Sequence, residues 1–122
     1  MTTERAPQMI ENIIPILRVE NLSVSLEYYN RVLGFTTDWS GEDFAGLSRD
    51  GWRLYLSEGN QGQPGAWLWI GVEDVDAMYR VCKTHNAVIK NEMTSTEWSR
   101  EFQVEDPDGH VLRIGGEPES KG

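Results

Sequence analysis

The chain has 122 residues, with 11 Lys and Arg against 20 Asp and Glu, a formal net charge of −9. Its 39% hydrophobic and 25% charged content fits one soluble globular domain, and the acidic balance argues against nucleic acid or an anionic membrane as partner. The single cysteine, Cys82, excludes a disulfide framework, and a polar N-terminus with no membrane-spanning apolar run makes the expected location cytoplasmic.

In chain order, residues 13–19 are β-branched and leucine-rich, as a strand is. Asn21 or Ser23 caps a helix running to about Leu33, with Leu22, Leu26, Tyr29 and Leu33 on one stripe and Gly34 as its stop. Strands follow at 35–39, 44–49 and 53–57, the last two joined by an Asp50-Gly51 turn. A Gly- and Pro-containing loop covers 58–65. Then come a strand at 67–72, a helix from the Asp74 cap to about His85, and strands at 88–93, 100–105 and 111–114, with Pro107-Asp108-Gly109 as a turn. Residues 1–12 and 115–122 read as tails.

The order is a repeat. Val19-Glu20-Asn21-Leu22 matches Val72-Glu73-Asp74-Val75 at an offset of 53, and the segment from Asp50 to Leu56 matches Asp108 to Ile114 at an offset of 58. Two copies make a pseudo-symmetric domain rather than a solenoid. The expected fold class is α+β: two βαβββ repeats, about 13–57 and 66–115, forming a curved mixed sheet with a concave groove.

Alternation along the strands puts Leu54, Leu56, Leu68, Ile70, Leu112 and Ile114 under the helices. Arg53, Tyr55, Ser57, Trp67, Trp69, Val111 and Arg113 then share the opposite face, where an aromatic pocket could take a small molecule. Trp67 and Trp69 also suit plain sheet packing, Trp39 and Phe44 a subunit interface, and Trp52 the surface. Arg113 is a ligand contact or an ion-pair partner of Glu101, Asp106 or another carboxylate. His85 and His110 are expected in surface or capping roles, and Cys82 in the core.

The doubled unit resembles the vicinal oxygen chelate superfamily, also called the glyoxalase/bleomycin resistance/dioxygenase fold. The likeness is carried by Ile16-Leu17-Arg18-Val19 leading into the first helix and Val32-Leu33-Gly34-Phe35, and by the closing run from Phe102 to Gly109. In the superfamily's enzymes, four His or Glu side chains hold a divalent ion that polarises the substrate. The resemblance puts those four positions on Ile14, Tyr55, Trp67 and Arg113, none a usual ligand and one a fixed cation. It therefore implies no metal and no cofactor.

The chain is most similar to the bleomycin-binding resistance branch. Pro15 resembles that branch's hinge, where the N-terminal strand crosses to a partner. Gly34 to Trp39 is similar to its segment ending in a groove-lining aromatic, Ala66-Trp67-Leu68-Trp69 to its tryptophan strand, and Trp98-Ser99-Arg100-Glu101-Phe102 to its run before the closing motif. The resemblance implies a non-enzymatic homodimer that sequesters a bleomycin-like glycopeptide, metal-loaded or free, and so confers antibiotic resistance. The site residues it implies are Asp38, Trp39, Phe44, Ser57, Trp67, Trp69, Trp98 and Arg113. The 58–65 loop is shorter than in that branch and the closing motif is generic. Those departures leave open another small hydrophobic or cationic metabolite as ligand. A metal-dependent lyase or dioxygenase is the third reading.

Overall fold

The computed structural model describes residues 9–118, so the expected tail segments 1–8 and 119–122 lie outside it. The first half is β1 (Ile16–Arg18), α1 (Leu22–Arg31), β2 (Thr36–Ser40), β3 (Phe44–Arg49) and β4 (Trp52–Ser57). The second is β5 (Trp67–Gly71), α2 (Val75–Thr84), β6 (Val88–Ser95), β7 (Arg100–Glu105) and β8 (Val111–Gly116). Each half builds its own four-stranded mixed sheet, in the orders β1-β4-β3-β2 and β5-β8-β7-β6. In each, the first strand runs parallel to the last, because a helix must cross over between them, and the hairpins are antiparallel.

Local chemistry sets the boundaries. The Asn21 side chain accepts the Val24 N–H at 3.1 Å, and that of Asp74 accepts the Ala77 N–H at 3.0 Å, satisfying donors the helices leave free. Asn86 stops α2 in the left-handed region, with the Ala87 N–H returning to the Cys82 carbonyl and the Asn86 N–H to that of Lys83. Asp50 and Gly51 both have positive φ, the requirement of the two-residue turn that joins β3 and β4 in register.

One core serves both halves. Leu17, Tyr29, Leu33, Leu47 and Leu56 from the first pack with Cys82, Phe102, Leu112 and Ile114 from the second. A side chain the size of Phe102 contributes about 1.5–3 kcal/mol on such burial. The 106–110 turn docks the second half on the first. Tyr29 donates its hydroxyl to Asp106 at 2.6 Å, and Asp108 accepts from Ser25 and from the Glu20 N–H. Burial first, and then the Asp106 charge, raises the Tyr29 pKa well above the phenol range, so it stays a donor.

His110 is fully buried, not a surface residue. Its Nδ1 accepts the Ala66 N–H at 3.0 Å, which leaves the ring proton on Nε2 for the Arg18 carbonyl at 2.6 Å. His85 does sit at the C-cap of α2. Alternation alone misjudges two further residues. Ser57 and Val111 lie at the ends of their strands and are buried, at 1% and 4% exposure, where alternation would leave them on the open face. Pro15 precedes β1, and its carbonyl accepts the Tyr55 N–H of the same chain at 3.0 Å.

Candidate functional site

The face of the first sheet turned away from the helices is built around a bulge. The β2–β3 register shifts between Thr37 and Trp39, so Asp38 is the extra residue. Two consecutive residues therefore reach the same face. The Asp38 carboxylate accepts the Ser48 hydroxyl at 2.9 Å, while the Trp39 indole lies over Gly46. Ser48 and Gly46 alternate with the buried Ala45 and Leu47, which fixes them on the open side.

Three rings meet there. Trp39 stacks on Phe44 at 5.7 Å and 22°, and each meets Tyr55 edge to face, at 5.3 and 5.4 Å. Such ring pairs contribute about 0.5–1.5 kcal/mol each beyond area burial. Gly46 makes the arrangement possible, since a Cβ there would fall 2.6 Å from the indole. Beside the rings is a depression of about 410 Å³ lined by Asp38, Trp39, Ser48, Arg53 and Tyr55, among others.

The open face of the second sheet is different. Trp69 lies across Gly115, whose added Cβ would sit 2.5 Å from the ring. The Arg113 guanidinium stands 5.3 Å from the Trp69 ring centre and grips Glu101 with two hydrogen bonds, at 2.6 and 3.1 Å. The Arg113 hydrogen bonds hold the Glu101 pKa below the usual carboxylate range. Of the carboxylates open to Arg113, the geometry therefore selects Glu101. Trp67 and Trp69 are each more than half exposed.

The expected site residues thus fall into separate places. Asp38, Trp39 and Phe44 come together with Tyr55 on the first sheet. Trp67, Trp69 and Arg113 lie on the second, and among the described residues no ring contact, hydrogen bond or ion pair joins the two sets. Trp98 is 81% exposed in the turn between β6 and β7. Ser57 is a correction: buried at 1%, it offers a ligand no surface. Arg53, Gly46, Ser48 and Gly115 were not singled out as site residues. The register of β3 and β4 could have pointed to Arg53 and Ser48, but nothing local marks a glycine as a seat for an indole forty-six residues away or seven.

The metal positions implied by the resemblance do not fit a divalent ion. Ile14 and Trp67 have no ligating atom, and Arg113 is a cation engaged with Glu101. No group of three or more His, Cys, Asp or Glu side chains suited to a metal ion forms among the described residues.

Comparison with known proteins supports the architecture. The virulence protein STM3117 from Salmonella typhimurium superposes with a TM-score of 0.75 at 18% identity, over 90% of this chain and 99% of that one. TioX from Micromonospora sp. ML1 gives 0.78 at 18%, over 87% and 98%. Lactoylglutathione lyase from Agrobacterium tumefaciens gives 0.76 at 13%, over 88% and 95%. At these identities the likeness shows the fold alone. No curated protein matches the chain. The sequence model of the Glyoxalase/Bleomycin resistance protein/Dioxygenase superfamily matches residues 10–114, nearly the whole chain, and the doubled βαβββ fold agrees with it, so the protein belongs to that superfamily.

Proposed function

We propose that the protein sequesters, without transforming it, a small molecule that carries a flat ring system and a cationic group. A bleomycin-type glycopeptide, with its flat heteroaromatic unit and cationic tail, is the ligand its sequence resemblance favours, and antibiotic resistance is the outcome. The superfamily includes both binders and enzymes, so the reading rests on the site. One observation carries it: Trp39, Phe44 and Tyr55 converge on an open sheet face beside the Asp38 carboxylate, which Ser48 holds in place. Rings accept a flat ligand by stacking, and a fixed carboxylate accepts its cation. In this proposal two copies pair, so that the Trp67 and Trp69 face of one closes over the first-sheet face of the other.

Titration with metal-free and copper-loaded bleomycin, followed by tryptophan fluorescence, tests it. The expected result is saturable quenching at micromolar drug, weakened in Trp39→Ala, with the drug recovered at unchanged mass. No saturable response, or a chemically altered drug, removes the proposal.

A further inference from the structure

Asp38 and Arg53 carry opposite charges on the lining of the same depression, and they do not neutralise each other. The Asp38 carboxylate takes its hydrogen bond from Ser48 instead. Arg53 is exposed and has no hydrogen-bond or ion-pair partner among the described residues. The register explains the separation. Ser48 is the direct cross-strand partner of Arg53, and the Asp38 bulge approaches Ser48 from the other side. The two residues are therefore carried by strands on either side of β3, whose backbones lie two strand spacings, about 9–10 Å, apart. Trp39 and Tyr55 form the adjoining row, with Gly46 between them as the cross-strand partner of both.

A purely cationic ligand would satisfy Asp38 but bring its charge towards Arg53. A ligand that also carries an anionic group on the far side of its ring would use both. We propose that this depression selects a zwitterionic ligand, with its cationic group at Asp38, its anionic group at Arg53, and a flat ring between them against Trp39 and Tyr55. The inference rests on the reading of this face as a ligand site: it keeps the ring and the cationic group of that reading, adds an anionic group, and so turns the preference from a purely cationic drug to a zwitterion.

Para-disubstituted benzenes isolate the claim: 4-(aminomethyl)benzoate as the zwitterion, benzylamine as the cation alone, and 4-methylbenzoate as the anion alone. Each is titrated into the full-length protein, with shifts of the tryptophan indole N–H signals as the readout. The zwitterion is expected to bind about fivefold more tightly than benzylamine, the range exposed charge pairs supply. Arg53→Gln abolishes that advantage and leaves benzylamine affinity unchanged or better. Asp38→Asn, which can still accept from Ser48, lowers affinity for both amines but not for 4-methylbenzoate. Equal affinity of zwitterion and benzylamine, or an advantage that survives Arg53→Gln, overturns the inference. Bleomycin binding alongside equal fragment affinities sinks only this selectivity. A fragment preference without bleomycin binding sinks only the glycopeptide reading.

Discussion

At the scale of single residues, two glycines determine where the large rings lie. Gly46 seats Trp39 and Gly115 seats Trp69, and in both places a methyl group would overlap the indole. Gly46 is not among the positive-φ glycines, so alanine there is opposed by the indole rather than by the backbone. Gly46→Ala is therefore expected to leave the far-ultraviolet dichroism native while swinging Trp39 off its seat. Losing the Phe44 and Tyr55 contacts should weaken ligand binding about tenfold. Native affinity in a variant with altered near-ultraviolet dichroism would mean that the ring is no part of the site. Cys82 illustrates the opposite case of a residue with chemistry it does not use. It is fully buried on α2, and burial pushes its thiol up to about 11, so it is core.

At the scale of elements, the 106–110 turn does more than connect β7 to β8. Asp106 accepts the N–H groups of Asp108 and His110 at 2.9 Å each, and the Tyr29 hydroxyl as well. That network holds the turn's shape and presses it on α1. His110 then ties the entry of β5 to the end of β1 through both ring nitrogens. His110→Ala leaves a cavity, an unpaired Ala66 N–H and an Arg18 carbonyl without its donor. It should cost about 2–4 kcal/mol in urea unfolding. A cost below about 0.5 kcal/mol, the level of an ordinary surface change, would show that the two halves dock without this histidine. The strength of the closing motif as a sequence signal follows from this role. It marks the joint between repeats, so it announces the fold and is silent about the ligand.

For the whole molecule, charge and fold respond differently to acid. The net charge of −9 vanishes near the isoelectric point, about 4.6, where repulsion between molecules is weakest. Among the described residues, two carboxylates stay ionised below the ordinary range. Asp76 is held down chiefly by its hydrogen bonds to Arg100, and Glu101 by those to Arg113. Because their folded pKa values are depressed, their contribution is complete above the unfolded values and is lost as pH falls through the folded ones. The protein should therefore be least soluble near its isoelectric point yet still give a native circular dichroism spectrum there. Its acid unfolding midpoint should lie lower, and Glu101→Gln should move that midpoint upward. An unchanged midpoint in the variant would show that the Arg113 pair adds nothing to acid resistance.

The sequence matched against itself revealed the repeat, and local patterning determined the helix caps, the Asp50-Gly51 turn and nearly every strand, because each of those depends on neighbours within a few residues. The buried stripe of α1 and the inward residues of β4 and β8 were equally legible, since a period of 3.6 or 2 assigns a face without any knowledge of what covers it. Tertiary structure alone decided the rest. It buried Ser57 and His110, because burial at a strand end depends on segments distant in sequence. It assigned the aromatic residues to two separate sheets, because the chain builds one sheet per repeat. It put Asp38 on the same sheet face as Trp39, since a bulge exists only once β2 has a partner strand to fall out of register with.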